Sequence, residues 1–247
     1  MRKALLRFMF ASLLVCAALA VQVSAQDFQK SYPITAGGSV SIQNVSGNVQ
    51  IIGYGGESVT VAAYKEGRDR EMVEVEDRSS ANSVRLGVRY PRNCNCDASI
   101  RFEVRVPRAV RYQISPVQTA SGNVEVRDVT GEVRVSTASG NVLVSGVSGS
   151  VNAQSASGNV DVELTRLEGA ENMKFSTASG DVNVKLPDNP DAYVSMSTAS
   201  GSVRTDFPIE VDRREHGPGQ SARGQLGNGT VRVTLSSASG NVTLSRL

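Results

Sequence analysis

The sequence predicts an all-β fold, namely a single-chain β-solenoid with coils of about 18–22 residues and an antiparallel β flank on its N-terminal side. Three observations support this prediction. A motif of Thr or Ser followed by Ala-Ser-Gly, a small polar residue and Val returns along the chain. A weaker repeat follows at half the period, and valines alternate with polar residues between the turns. One coil alone leaves its apolar side uncovered, so we expect the coils to be stable only as a stack.

The glycine of the motif sets the period. Its spacings are 18, 18, 22, 21 and 39 residues, at Gly122, Gly140, Gly158, Gly180, Gly201 and Gly240. Gly131 and Gly149 lie nine residues after the first two of these glycines. One coil therefore holds two short strands joined by two turns. Right-handed winding is the default for connections between parallel strands, and we expect it here.

Alternation within the strands predicts which side chains are buried. Val124 and Val126 follow one turn, and Val133 and Val135 precede the next, with polar residues between them. A period of two means that one side of each strand faces a core and the other faces water. The valines of the two strands in a coil are therefore predicted to face each other across a narrow interior, which includes Val160.

Each residue of the turn has its own expected role. Glycine adopts positive φ without steric cost, which suits a tight corner. Asparagines at successive levels would lie about 4.8 Å apart, the spacing of neighbouring strands. Their amides can then bond turn backbone that has no ladder partner, and we expect the small alanine to point inward. The predicted turn ladder comprises Gly47, Gly122, Asn123, Gly140, Asn141, Gly158, Asn159, Gly180, Asp181, Gly201, Gly240 and Asn241.

The rest of the mature chain is predicted to flank or interrupt the coils. Residues 38–53 repeat the motif pattern once and predict an early coil. Longer alternating runs predict antiparallel hairpins, so that 26–117 form the first coil plus a flank or cap, and 118–247 form the repeat region. The segment 206–229 is rich in charge, Gly and Pro, and predicts a long exposed loop insertion. The pattern predicts no cap for the final coil.

Residues 1–25 predict a secretory signal peptide. A basic start is followed by an apolar run and by small residues before Gln26, so we expect cleavage after Ala25. The alternative of a membrane anchor would need roughly 20 apolar residues, more than this run provides. A lipoprotein signal at Cys16 is disfavoured because Val15 occupies a place where a small residue is needed. We therefore expect an exported protein of the periplasm or the cell surface.

The charge balance disfavours two classes of partner. The chain has 26 basic and 24 acidic residues, and three of the basic residues lie in the predicted signal peptide. The mature chain is therefore close to neutral, which predicts no binding to nucleic acid and no attraction to an anionic lipid surface. No stretch after the signal is long and apolar enough to form a transmembrane helix.

Two cysteines, Cys94 and Cys96, remain after cleavage. In an oxidising compartment a disulfide is expected, although the C-x-C spacing leaves open whether the two pair with each other. The same spacing could supply two metal ligands, but a zinc site needs three or four and the single histidine, His216, is distant in the chain. Calcium would need several converging oxygen ligands, and few of the turns carry aspartate. We therefore predict no metal and no cofactor.

The sequence offers little for catalysis. A Ser-His-acid triad would have to use His216, which lies in a charged segment poorly suited to holding a base in place. If the coils stack in register, Asp161 and Glu163 share an outer face about 7 Å apart, a separation compatible with glycoside chemistry. Lys185 is expected beside Glu163, however, as in an ordinary solvated sheet. We predict no catalytic residue and keep a carbohydrate-active enzyme or glycan-binding module at Asp161 and Glu163 as the alternative.

The repeated segments, such as T-A-S-G-D-V at 177–182, are preceded by V-R-V-P at 104–107. Together they resemble the bacterial β-strand-repeat family labelled "putative adhesin", a domain of unknown function, over residues 38–247. The resemblance implies a β-solenoid in an exported protein and supplies no catalytic or binding residues. The predicted function is therefore a non-catalytic cell-envelope protein that presents a rigid surface for structural or adhesive contact with an unknown protein or glycan. End-to-end self-association through the final coil is a further hypothesis.

Overall fold

The chain folds almost entirely into β-strands, as the sequence predicts. The computed structural model describes residues 26–167, 170–213 and 219–247, and the predicted signal peptide lies outside them. A single short 3₁₀ turn, Arg70–Met72, interrupts the strands of the described part. The strands are β1 (Phe28–Tyr32), β2 (Ser39–Gln43), β3 (Val49–Tyr54), β4 (Val59–Glu66), β5 (Glu74–Asp77), β6 (Ser83–Arg89), β7 (Ser99–Pro107), β8 (Arg111–Ser121), β9 (Val124–Arg127), β10 (Thr130–Ser139), β11 (Val142–Ser157), β12 (Val160–Arg166), β13 (Met173–Ser179), β14 (Val182–Leu186), β15 (Ala192–Ser200), β16 (Val203–Thr205), β17 (Val211–Arg213), β18 (Gln220–Leu226), β19 (Val231–Ser239) and β20 (Val242–Arg246).

The strands stack as rungs, a rung being the two strands on either side of one Ser-Gly turn. The strands before the turns form one side of the stack, the pre-turn sheet, and those after the turns form the other side, the post-turn sheet. The long strand β11 belongs to both, because its first residues pair with β9 and β12 and its later residues pair with β10 and β13. The order is β5-β6-β2-β8-β10-β11-β13-β19-β15-β18-β17 in the pre-turn sheet and β1-β4-β7-β3-β9-β11-β12-β14-β20-β16 in the post-turn sheet.

The core is the narrow interior between the two sheets. Val124 and Val160 of the post-turn sheet are 0 % exposed, and Val133 of the pre-turn sheet is 1 % exposed. Val160 pairs in register with Val142 on one side and Val182 on the other, so the valines form columns along the stack. Fully burying such a side chain stabilises the fold by about 1.5–3 kcal/mol. The inward valines predicted from the alternation are thus where the sequence places them; the predicted right-handed winding stays a prediction.

The rungs do not all stack in the order of the sequence. From β8–β9 to β13–β14 each rung lies on the one that precedes it in the chain. The rung β19–β20, which is last in the sequence, instead lies between β13–β14 and β15–β16. The expectation that the final coil ends the stack without a cap is therefore wrong. The rung β15–β16 occupies that end.

A similar exchange occurs at the other end. The rung β2–β3 lies between β8–β9 and the strands β6 and β7, which run parallel to it. β6 and β7 are therefore also an outer rung of the stack, which the prediction of antiparallel hairpins for this stretch did not include. The hairpin prediction holds for β1 and β4, which extend the post-turn sheet antiparallel beyond β7, and for β5, which pairs antiparallel with β6.

The segment 206–229 differs from the predicted loop insertion. It contains β17 and β18, and β18 runs antiparallel along the free edge of β15. Ala222 and Leu226 are 1 % and 6 % exposed, because they continue the core over this edge. The polar composition of the segment did not indicate β18, because this strand needs only a few apolar residues to cover the end of a narrow interior. Residues 214–218, which include His216, lie outside the described part.

Candidate functional site

The turn glycines form a single file along one edge of the stack. The N–H of Gly122 donates to the carbonyl of Ser139, and that of Gly140 to the carbonyl of Ser157, each at 2.9 Å. Gly140 has a φ of 147°, a conformation that residues with a Cβ rarely adopt. A Cβ at Gly140 would also overlap the backbone carbonyl of Gly122 directly below it. In spatial order the file is Gly47, Gly122, Gly140, Gly158, Gly180, Gly240 and Gly201.

The residue after each glycine forms a side-chain ladder with a direction. The backbone N–H of Asn141 donates to Oδ1 of Asn123 at 2.8 Å, and the N–H of Asn159 donates to Oδ1 of Asn141 at 2.9 Å. Asp181 takes part equally well, because only an acceptor oxygen is required. In spatial order the ladder runs Asn48, Asn123, Asn141, Asn159, Asp181, Asn241 and Ser202. Each side chain thus bonds the turn backbone of the next level.

The first residue of the motif adds a buried hydroxyl to every level. The hydroxyl of Thr137 donates to the carbonyl of Gly122 at 2.9 Å, and Thr137 is 5 % exposed. Ser155 makes the equivalent bond to Gly140 at 2.9 Å. A buried carbonyl without a partner would be costly, so this column of hydroxyls stabilises the corner. Sequence reasoning missed it because a buried polar residue was not expected beside an alanine.

The alanine of the motif is exposed, and the expectation that it points inward is wrong. Because side chains alternate along a strand, the inward threonine forces its neighbour outward. The alanines form an exposed column at Ala120, Ala138, Ala156, Ala178, Ala238 and Ala199. A second column, two residues earlier, consists of Gln118, Ser136, Gln154, Ser176, Ser236 and Ser197.

These two columns line a groove of about 980 Å³ along the pre-turn sheet, which we call the corner groove. All of its lining side chains are uncharged. The six levels are separated by five strand spacings of about 4.8 Å, so the columns extend over roughly 24 Å. The corner groove is therefore a long, neutral surface with a regular repeat.

The post-turn sheet carries the carboxylates proposed as the alternative site. Asp161 and Glu163 line a depression of about 230 Å³ together with Asn183 and Lys185. Oδ1 of Asp161 accepts a hydrogen bond from Nδ2 of Asn183 at 2.8 Å, and Glu163 lies opposite Lys185 in the ladder. The predicted neighbour Lys185 is thus in place. The next residue beyond it is Ser245, because β20 separates β14 from β16.

The loop between β6 and β7 replaces the Ser-Gly turn in the outer rung. Within it Cys94 and Cys96 are joined as a disulfide with Cα atoms 5.1 Å apart. The hydroxyl of Tyr90 donates to the carbonyl of Ala98 at 3.0 Å across the same loop. Nδ2 of Asn44 links the outer rung to the stack by donating to the carbonyls of Gly47 and of Ile100 in β7.

A polar network closes the N-terminal end. Oδ2 of Asp77 accepts hydrogen bonds from Nζ of Lys30 at 2.6 Å and from the hydroxyl of Tyr32 at 3.0 Å. Burial acts to raise the pKa of the Asp77 carboxyl, but bonds from Lys30, Ser79 and Tyr32 outweigh it and hold that pKa well below its usual range. Burial is also the main reason that the pKa of Tyr32 is raised to about 12. The network joins β1 of one sheet to β5 of the other.

Within 26–167, 170–213 and 219–247, no three His, Cys, Asp or Glu side chains come together in a way that could hold a metal ion. Within the same ranges, no helix is long and apolar enough to cross a membrane.

The stacked parallel rungs and their turn ladders define a β-helix-like domain. The family model of Toastrack DUF4097 matches residues 108–245, more than half of the chain, and the chain belongs to this family. The resemblance inferred from the repeats is thereby confirmed.

No curated protein matches the chain. Among solved structures, a "putative cell adhesion protein" from Clostridium sporogenes is 12 % identical, with a TM-score of 0.47 over 89 % of this chain and 99 % of that one. A "putative adhesin" from Bacteroides fragilis is 11 % identical, with a TM-score of 0.32 over 89 % of this chain and 96 % of that one.

Proposed function

We propose that the protein is a non-catalytic, exported module of the cell envelope that presents a rigid β-solenoid surface for structural or adhesive contacts. The observation that supports this proposal best is the corner groove. It repeats the same neutral side chains level after level, on a backbone fixed by the glycine file and the asparagine ladder. Ordered contact groups lose little entropy on binding, which favours affinity for an extended partner.

The chemistry of the corner groove restricts the kind of partner. Its exposed groups are alanine methyls, serine hydroxyls and glutamine amides, so it offers apolar contact together with neutral donors and acceptors. A partner with uncharged polar groups along an extended chain fits this surface, either a protein segment or a neutral glycan. A strongly charged polymer would find no countercharge among the lining residues.

Charge placed in the corner groove tests the proposal. We would compare the wild-type mature chain with the double variant Ala138→Glu and Ala156→Glu in binding to cell-envelope fractions of the source bacterium and to an array of neutral glycans. We expect at least a tenfold loss of binding, because two carboxylates would lose hydration against an uncharged partner. Thr243→Glu, an outward change on the post-turn sheet between Asn183 and Arg204, is the control and should bind like the wild type.

Two results would contradict a role for the corner groove. Equal binding by the wild type and the double variant would place the contact elsewhere on the surface. Equal losses in the double variant and in Thr243→Glu would indicate a general effect of charge. Circular dichroism of all three proteins guards against loss of fold.

The alternative function is a carbohydrate-active enzyme or glycan-binding module at Asp161 and Glu163. The depression around these residues favours it, whereas the bonds of Asp161 to Asn183 and the position of Lys185 beside Glu163 favour an ordinary solvated sheet. Turnover of a polysaccharide by the wild type, abolished in Asp161→Asn, would establish the enzyme and overturn the non-catalytic proposal.

Export is the remaining part of the proposal. It is supported by the basic start, apolar run and small residues of 1–25. Expression with the native N-terminus in a bacterial host should yield periplasmic or surface-exposed protein that begins at Gln26 in N-terminal sequencing. Full-length protein retained in the cytoplasm would contradict export.

A further inference from the structure

At the end of the stack formed by β15–β16, two residues, Ser202 and Gln220, replace features of the repeat that every inner level has. At each inner level, the valine after the turn donates its backbone N–H to a carbonyl of the next level. Val182 donates to Asn241, and Val242 donates to Ser202, each at 2.9 Å. Beyond the last level, which contains Val203, the described residues form no further rung that could supply such a carbonyl.

The side chain of Gln220 takes the place of the missing rung. Its Oε1 accepts a hydrogen bond from the backbone N–H of Val203 at 2.7 Å. Gln220 begins β18, the strand that also covers the pre-turn edge of this rung. Val203 is only 5 % exposed, so without Gln220 its N–H would lack a partner in a poorly hydrated place.

Ser202 ends the asparagine ladder in a complementary way. Each inner level supplies an Oδ1 to the N–H of the level above, and Asn241 supplies the one that Ser202 uses, at 3.1 Å. Ser202 has no Oδ1, and its hydroxyl points back to Asn241 at 2.7 Å. A level above Ser202 would therefore find no Oδ1 at the ladder position for its own turn N–H.

We infer that Ser202 and Gln220 together form a stop that ends the stack and prevents a second copy of the chain from adding its rungs there. The direction of the ladder also explains why β19–β20 lies inside β15–β16. The N–H of Asn241 donates to Asp181 and its Oδ1 accepts from the N–H of Ser202, whereas Ser202 donates its N–H but has no Oδ1 to offer to a further level. The short edge strand β16, with Val203–Thr205 alone, gives a second copy little to pair with. The stop acts independently of the partner that the outer faces bind.

The first test measures the Val203 amide by hydrogen exchange. Gln220→Leu removes the acceptor, and the exchange rate of this amide should rise about tenfold, because one buried bond is lost. Gln225→Leu makes the same change at an exposed position of β18 and should leave that rate unchanged. Gln220→Glu keeps an acceptor oxygen and should keep the amide protected. Equal rates in Gln220→Leu and the wild type would overturn the role of Gln220.

The second test measures self-association by sedimentation velocity over a range of concentrations. Ser202→Asn combined with Gln220→Leu supplies a ladder acceptor and frees the Val203 donor, and this variant should shift from monomer to larger species as concentration rises. Ser202→Asn combined with Gln225→Leu should sediment as the wild-type monomer. Assembly of the wild type that Gln220→Leu does not increase would overturn the stop. The stop would also be overturned if the Ser202→Asn, Gln220→Leu variant stayed folded, showed fast exchange of the Val203 amide and remained monomeric.

Discussion

The middle of the stack and its two ends obey different rules. In the middle, from β8–β9 to β13–β14, the rungs follow the chain, each turn has the same glycine and acceptor, and one level is interchangeable with the next. At each end, the outermost rung (β6–β7 or β15–β16) lies between two other rungs in the sequence but outside both of them in the stack. Antiparallel strands cover the edges of these outermost rungs. Identical levels determine that rungs stack. Departures from the repeat determine which rung comes last.

The largest expected effect concerns the shared interior of the middle rungs. Val160→Asp places a charge in a site that is 0 % exposed, with valines above and below it. We expect a loss of about 3–5 kcal/mol in the free energy of unfolding, because no partner can compensate the charge. Urea unfolding of the mature chain measures it. Thr243→Asp, on the outer face of the same sheet between Asn183 and Arg204, should cost little, and equal losses in both would contradict the assignment of the interior.

A second experiment compares a turn glycine of the middle levels, Gly140, with a glycine inside an outer strand, Gly87. Gly140→Val should cost about 3 kcal/mol, because Gly140 has a φ of 147° and a Cβ would overlap the Gly122 carbonyl. Gly87, in the outer strand β6, has open space where a Cβ would be built. Gly87→Val should change the free energy of unfolding by less than about 0.5 kcal/mol. Similar midpoints in urea for the two variants would show that the turn glycines are not required for the stacking of the rungs.

The N-terminal end should be sensitive to acid through Asp77. Because the pKa of Asp77 is lower in the folded chain than in the unfolded chain, its contribution to stability is present above the unfolded value and is lost as pH falls through the folded value. Stability should therefore begin to decline as pH falls below about 4. Asp77→Asn should remove this component from thermal melts recorded across that range, while Asp161→Asn should retain it. An unchanged acid profile in Asp77→Asn would refute this role for the network.

The smallest expected effect concerns the buried hydroxyls of the middle levels. Thr137→Val keeps the shape of the side chain but removes the donor to the Gly122 carbonyl. We expect a loss of about 1–2 kcal/mol in the free energy of unfolding. Thr234→Val makes the same change on the outward side of β19 and should have almost no effect. A larger loss at Thr234 than at Thr137 would show that the hydroxyl column is not what stabilises the corner.

The sequence predicts the repeated part of this fold well because the repeat has one physical solution. A glycine at each corner, an acceptor after it and alternating valines are satisfied together only by rungs in register, as Gly140, Asn141 and Val142 show. The columns of the outer faces follow directly from that register. Lys185 beside Glu163 is one such neighbour that the structure bears out.

The order of the rungs was harder to predict, because every level offers nearly the same edge. The signal was present at Ser202, which breaks the acceptor pattern, but its meaning depends on the direction of the ladder, which only coordinates reveal. The exposed alanines were missed for a different reason. The small size of alanine suggested that it is buried. The inward position is instead occupied by Thr137, whose hydroxyl bonds the backbone carbonyl of Gly122, and the adjacent alanine therefore points outward.

Engineered cysteine pairs test the displaced final rung most directly. With Cys94 and Cys96 replaced by serine, the pair Asn183→Cys and Thr243→Cys joins positions that face each other across β14 and β20. The pair Asn183→Cys and Arg204→Cys joins positions two rungs apart, roughly 9.6 Å, beyond the reach of a disulfide. Mass spectrometry after mild oxidation should find an intramolecular disulfide in the first variant and none in the second. A disulfide in the second variant without one in the first would show that the rungs follow the order of the chain.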